Sequence, residues 1–191
     1  MIIRVADCPS QPWKNGLGRT REIAIHPEGS NSDDFEWRIS IAEVDSAAPF
    51  SRFPGIDRHI ALLDGAGFAM TLDDVHTHVL TVPFVPFAFP GEAAVTVKLV
   101  GGPTRDFNLM VRRSMVRRSR AGGEVQVWRG PGMRKCEPAM VLVLCVRGEV
   151  DTVDGRLGAG DAWQPSQPVP DLLTLHDGAV ALAVHIEPCV I

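Results

Sequence analysis

The spacing of apolar residues most limits what this chain can fold into, because in segment after segment it repeats at every second position. Residues 21–25, 37–42, 68–72 and 95–99 all follow this alternation. Successive side chains of an extended chain point to opposite sides, so a period of two marks strands with one buried face. Residues 140–146 and 180–186 are instead continuous apolar runs of strand length, the pattern of strands buried on both faces. Few segments offer the 3.6-residue period of a helix, and 18 glycines and 15 prolines interrupt most windows of helix length. The chain is expected to be all-β, with short strands joined by tight turns.

Charge and composition narrow the function. At 191 residues the chain can build one large β domain or two small ones, and its net charge is −4. No basic surplus is available to neutralise a run of phosphates, so nucleic acid is excluded as the expected partner. The local exception, Arg112, Arg113, Arg117, Arg118 and Arg120, reads as a solvated connector. No apolar run approaches the roughly 18 residues that cross a bilayer, and the first residues lack a signal-peptide core. The expectation is a cytoplasmic protein that does not engage a membrane. Cys8, Cys136, Cys145 and Cys189 show no C-x-x-C spacing, which argues against a zinc knuckle or a disulfide framework.

Two weakly similar halves emerge along the chain. Residues 60–65 (I-A-L-L-D-G) and 143–148 (V-L-C-V-R-G) are each an apolar strand ending in glycine. Each is followed by a hairpin, a glycine with a nearby acid (G-E at 91–92, G-A-G-D at 158–161) and further strands. Such a repeat predicts two stacked β-barrels or sandwiches joined through residues 114–124.

Five motifs then carry a resemblance. They are W-K-N-G-L-G-R-T-R-E-I at 13–23, W-R-I-S-I-A at 37–42, F-S-R-F-P-G-I-D-R at 50–58, P-F-A-F-P-G-E at 86–92 and G-P-T-R-D-F-N-L-M at 102–110. In this order they resemble the HutD/Ves family of the cupin superfamily, over roughly residues 5–113; Leu17 stands where many members carry a third glycine. The resemblance implies a bicupin, with two stacked cupin-type β-barrels or jelly-roll sandwiches. Residues 1–113 would form the half with the motifs and pocket, and 114–191 the linker and second half. It also implies no metal and no cofactor. The implied partner is a small anionic metabolite, with formylglutamate or urocanate as candidates, bound in a regulatory role in histidine utilisation or stress response.

The motifs place polar residues on alternate positions: Thr20 and Glu22, Arg38 and Ser40, Asp106 and Asn108. Ile23, Trp37, Ile39, Phe107 and Leu109 sit between them. Either the apolar set is core and the polar set wet surface, or the polar set lines a small barrel that holds one ligand. The resemblance favours the lined barrel. Arg58, after the Pro54-Gly55 turn, and Arg38 are then the anion receptors, because a guanidinium forks two donors onto a carboxylate. Buried guanidinium needs a partner, and Glu22, Glu43 and Asp106 are the internal acids on offer. Trp13 and Asn15 belong to either a ligand-contacting loop or a rigid turn, and Phe50 and Phe53 wall the pocket or serve as plain core.

Two enzymatic readings stand beside the receptor. One is a metal-independent isomerase or lyase that uses Glu22, Glu43 or Asp106 as general base beside an arginine. The other is a metal-dependent dioxygenase. His76 and His78 have H-x-H spacing, but no glutamate follows closely, so they are assigned to the surface rather than to a metal. Sheet edges need cover, which points to a homodimer as one way of providing it.

Overall fold

The computed structural model describes residues 1–13, 16–31, 34–47, 49–115, 123–166 and 172–187. Among them are eighteen strands and two single-turn 3-10 helices, Val5–Asp7 and Arg113–Met115. The chain is all-β, and no helix among the described residues is long and apolar enough to cross a membrane. Arg117, Arg118 and Arg120 fall outside the described residues. Arg113 differs from a free connector charge, since its guanidinium is held by Asp57 and Glu92.

Residues 9–122 form one unit. Its larger sheet contains β2 (Ser10–Pro12), β3 (Gly18–His26), β4 (Trp37–Val44), β5 (Ile56–Asp64), β8 (Phe87–Pro90) and β10 (Thr104–Arg112), in the order β2-β3-β4-β10-β5-β8. A smaller sheet holds β6 (Phe68–Leu72), β7 (His76–Leu80) and β9 (Val95–Leu99), in the order β7-β6-β9. Every pairing in both sheets is antiparallel. One apolar cluster joins them: Val44, Ile60, Leu62 and Phe89 from the larger sheet meet Phe68, Met70, Leu72, Leu80, Val95 and Val97 from the smaller. Alternation along β5 puts Arg58 on the same inner face as Ile60 and Leu62. The opposite face of this sheet is buried as well, with Ile39, Ala61, Phe107 and Leu109 all inaccessible to solvent.

Residues 1–8 and 123–191 form the second unit. One sheet contains β1 (Ile2–Arg4), β11 (Glu124–Arg129), β13 (Met140–Arg147), β16 (Asp161–Trp163) and β18 (Val180–His185), in the order β1-β16-β13-β18-β11. The other contains β12 (Gly132–Lys135), β14 (Val150–Thr152), β15 (Gly155–Leu157) and β17 (Leu172–Leu175), in the order β12-β17-β14-β15. Large side chains fill its core, among them Trp128, Met140, Trp163, Leu173 and Leu175. The continuous apolar runs are strands β13 and β18. Leu142, Leu144, Leu182 and Val184 are buried on one face of the sheet and Val143, Cys145, Ala181 and Ala183 on the other. Cys145 is an unpaired thiol that burial raises to about 11, in keeping with an inert core role.

The division differs from a cut at residue 113. Met1–Cys8 belong with the second half, because β1 pairs antiparallel with β16 through Ile2 opposite Trp163 and Ile3 opposite Ala162. Ladder hydrogen bonds, not nearness in sequence, decide which unit a strand joins.

The entry to β6 depends on a close approach of two backbones. Gly67 has φ +78° and a Cβ there would lie 2.0 Å from the Leu80 carbonyl oxygen, while its own amide donates to Thr104 Oγ1 at 3.1 Å. Gly67→Ala is expected to destabilise the fold by more than ~2 kcal/mol, through φ strain and displacement of β7 together. Chemical denaturation would show this as a lower midpoint at unchanged slope; an unchanged midpoint would contradict the close approach.

Candidate functional site

Antiparallel register assembles the site in rows across the larger sheet. In the first row Phe89, Arg58, Met110 and Arg38 lie side by side on β8, β5, β10 and β4. The second row is Phe87, Ile60, Asn108, Ser40 and Glu22, and the third is Leu62, Asp106, Ala42 and Thr20. All of these share the inner face, so the polar residues of three separate motifs converge there. From these rows Arg58, Met110, Arg38, Asn108, Ser40, Asp106, Ala42 and Thr20 line a cavity of about 550 Å³ together with Gln11, Pro12, Trp13, Pro49, Phe50, Ser51 and Phe53. That volume falls within the roughly 300–1,000 Å³ of small-molecule sites. The polar set is therefore the lining of the first unit and not its wet surface.

Arg58 lies at the heart of this cavity. The Pro54-Gly55 turn delivers it as the third residue of β5, and backbone hydrogen bonds from Phe53 to Gly91 and from Gly91 to Ile56, both 2.7 Å, fix that turn. Its guanidinium carbon stands 5.0, 5.2 and 5.7 Å from the ring centres of Phe89, Phe50 and Phe53. Three aromatic faces thus enclose the cation, an attractive arrangement that also keeps water away. Arg58 is only 5% exposed, and burial pulls its pKa down to about 10, with Asp106 opposing the fall and Arg38 adding to it.

Asn108 connects this cation to a buried acid. Arg58 Nη2 donates to Asn108 Oδ1 at 2.8 Å, and Asn108 Nδ2 donates to Asp106 Oδ1. Arg58 Nε and Asp106 Oδ2 are left with no hydrogen-bond partner. Asp106 is 0% exposed, and burial raises its pKa to about 7, while the Asn108 bond and the Arg58 charge pull the other way. A buried donor and a buried acceptor, both unpaired, thus belong to residues that line one cavity, and burial makes it costly to leave either unsatisfied.

The remaining candidates fall into place around this core. Arg38 Nε donates to Glu22 at 2.7 Å, so that arginine already has a carboxylate. Trp13 Nε1 donates to Thr20 Oγ1 at 2.8 Å. Gly18 allows the indole to lie against β3, since a Cβ there would come within 3.0 Å of the ring and 2.6 Å of the Glu43 carbonyl oxygen. The tryptophan of the opening motif walls the cavity; Asn15 lies outside the described residues. Glu43 is not an internal partner. Its parity on β4 matches Trp37 and Ile39, and it lies 3.6 and 3.7 Å from Arg19 and Arg21 instead. That removes it from the general bases an enzymatic reading can use here.

Gln11, Pro12, Ala42, Pro49, Ser51, Met110 and Phe89 contribute to the site without having been singled out in the sequence. Ala42 and Met110 were detectable, because they continue the parities of Arg38-Ser40 and Asp106-Asn108. Gln11, Pro49 and Ser51 come from segments whose approach is set by tertiary packing alone.

The donor set does not suit the metal that many cupin-type barrels carry. Asp106 is the single carboxylate among the described lining residues, no imidazole or thiol is present, and two guanidiniums oppose a cation. His76 and His78 stand on β7 outside the lining, the latter stacked on Phe87 at 3.7 Å. Among the described residues no group of three His, Cys, Asp or Glu side chains is placed to hold an ion.

Known proteins resemble this chain in sequence and fold. The HutD family model matches residues 5–182. An uncharacterised 21.2 kDa protein in the hutC 3′ region of Pseudomonas putida is 44% identical over 109 residues, which are 57% of this chain and 56% of that protein. Protein Ves of Escherichia fergusonii is 41% identical over 105 residues, 54% of this chain and 53% of its own. The chain thus spans about half the length of these curated relatives. The structure of HutD from Pseudomonas fluorescens SBW25, obtained in a formate condition, superposes with a TM-score of 0.84 at 31% identity and covers 100% of this chain and 99% of that one. A cupin barrel protein from Leptotrichia buccalis shares the fold at a TM-score of 0.62 and 10% identity, over 98% of this chain and 96% of its own.

The raised Asp106 value carries a consequence for stability. Between its ordinary 3.8 and about 7 the native chain holds a proton that the unfolded chain has released. This group's contribution is therefore complete below about pH 4 and declines as pH rises through neutrality. Asp106→Asn keeps the neutral form at every pH, so it should stabilise the protein at about pH 8 by up to roughly 4 kcal/mol, with the gain disappearing near pH 4. Urea unfolding at the two pH values measures it; a variant less stable at both would contradict the assignment.

Proposed function

This chain belongs to the HutD family, and from that premise we propose that its first β unit is a receptor for a small carboxylate anion. The observation that carries the reading is Arg58, a buried guanidinium with an unpaired Nε–H in a cavity of ligand size. A carboxylate matches a guanidinium in charge and in the spacing of its two oxygens, and aromatic surroundings strengthen the attraction. Ser40, Asn108 and Trp13 supply the neutral edge of the site, and Met110 and Ala42 its apolar floor.

One relative's name supports a reading of the wider role. The Pseudomonas putida relative is described by its place beside hutC, which makes intermediates of histidine breakdown, urocanate and formylglutamate, the first ligands to try. A receptor for such an intermediate would serve regulation in that pathway, or in a stress response in relatives of the Ves type. A second reading, proton transfer next to the carboxylate of a bound substrate, has one favouring observation: Asp106 sits near neutrality beside Arg58. Product formation from either compound would favour it, whereas saturable binding without turnover supports the receptor.

Thermal-shift and calorimetric titration with formate, glutamate, urocanate and formylglutamate should identify at least one ligand that saturates. At 100 times its dissociation constant it stabilises the protein by about 2.7 kcal/mol. Arg58→Ala should weaken that ligand by about 100-fold or more, since two charge-assisted hydrogen bonds are lost at ~1.5 kcal/mol or more each. Circular dichroism should remain that of the folded chain, because Asp106 can stay protonated once its cation is gone. Equal affinity in the variant would rule Arg58 out as the receptor.

A further inference from the structure

The two unpaired atoms in the cavity differ in what they ask of a ligand. Arg58 Nε–H requires an acceptor, which any carboxylate supplies. Asp106 Oδ2, when ionised, requires a donor, which formate, acetate and other simple carboxylates lack. An acceptor-only anion placed against Arg58 would therefore face a second anion within the same cavity.

The hydrogen bonds decide where a proton can relieve this conflict. Asn108 Oδ1 receives the Arg58 donor, so the Asn108 amide must turn its Nδ2 toward Asp106, where it donates to Oδ1. With Oδ1 occupied as an acceptor, a proton on Asp106 resides on Oδ2, the oxygen left open. Protonated there, the side chain changes from an acceptor that repels a carboxylate into a donor that binds one. Its surroundings permit this. The charged group acting on it is Arg58 from β5; Arg38 from β4 acts on Arg58 and is itself paired with Glu22 from β3 at 2.7 Å. The lining contains no further titratable group on β10 or from residues 49–53.

We infer that the cavity takes an acceptor-only carboxylate together with one proton, which Asp106 Oδ2 holds and donates to the bound anion. The inference rests on the receptor reading and specifies its chemistry. An ionised Asp106 collects the proton from solvent as the ligand enters, and it is returned when the ligand leaves. No covalent bond to the ligand forms or breaks. Asp106 is in this sense a specificity-determining residue, one that makes simple carboxylates good ligands below neutrality and poor ones above it. A burial-raised affinity for protons gives the switch its position near pH 7.

Formate is the probe, because it stays ionised over the whole range and offers no donor at neutral pH. Calorimetric titration of the full chain, repeated in two buffers of different ionisation enthalpy, reads both affinity and proton uptake. Near pH 8 the expected uptake is close to one proton per formate, falling toward zero by about pH 5.5, where Asp106 is already protonated. Affinity should drop roughly tenfold per pH unit once above the Asp106 transition. Asp106→Asn, which keeps a donor in place at every pH, should bind formate with a flat pH profile and no uptake. The wild-type measurement stands even if that variant fails to fold. Saturable binding with flat affinity and no uptake in the wild type overturns the proton linkage and leaves the receptor intact. Absence of formate binding at every pH overturns the inference, and the receptor reading then stands or falls on glutamate, urocanate and formylglutamate.

Discussion

A positive and a potentially negative group share the inner face of one sheet, and the site depends on their being held near each other without direct contact. Had Arg58 and Asp106 paired directly, each would have satisfied the other and the cavity would offer little to a ligand. Asn108 prevents that by accepting from one and donating to the other, which leaves one atom on each side unpaired. The rest of the unit protects this arrangement. Three phenyl rings shut out water from the guanidinium, and the Glu22 pair keeps Arg38 occupied. The Phe68-Met70-Leu72 strand gives the same sheet an apolar anchor at its other end.

The two units show what one β architecture does with two kinds of inner face. In the second, the inner positions of β13 and β18 are Val143, Cys145, Ala181 and Ala183, closed over by tryptophans and leucines. In the first, the central strands β4 and β10 present Arg38, Ser40, Asp106 and Asn108. Apolar residues of complementary size can interdigitate and fill the space. Hydrogen-bonding groups with fixed directions cannot collapse onto one another in that way, so a cavity persists where they converge.

Much of the fold and part of the site was legible in the sequence, for a common reason. Period-two alternation is local, and it assigns Arg38 and Ser40, or Asp106 and Asn108, to one face without knowledge of any neighbour. Whether that face is wet or enclosed depends on what covers it, which alternation cannot say. Glu43 was a misreading that parity alone could have prevented, since it shares a face with Trp37. The bulge on β3 between Glu22 and Ala24 moves Ile25 to the face of Arg38, and nothing in its short run of residues announces that shift. Likewise the membership of β1 in the second unit depends on a pairing with β16 across almost the whole chain, and neither strand is long enough to specify its partner.

That last pairing has a consequence for the order of events during synthesis. Residues 9–122 are one uninterrupted stretch, so every strand of the first unit is available to its partners before β11 has been made. Strand β1 is different: it is made before the first unit, yet its ladder cannot close until β16 has followed. A complete cavity and an unpaired β1 therefore coexist on the nascent chain. The second unit acquires this edge only when residues 2–4 meet residues 161–163.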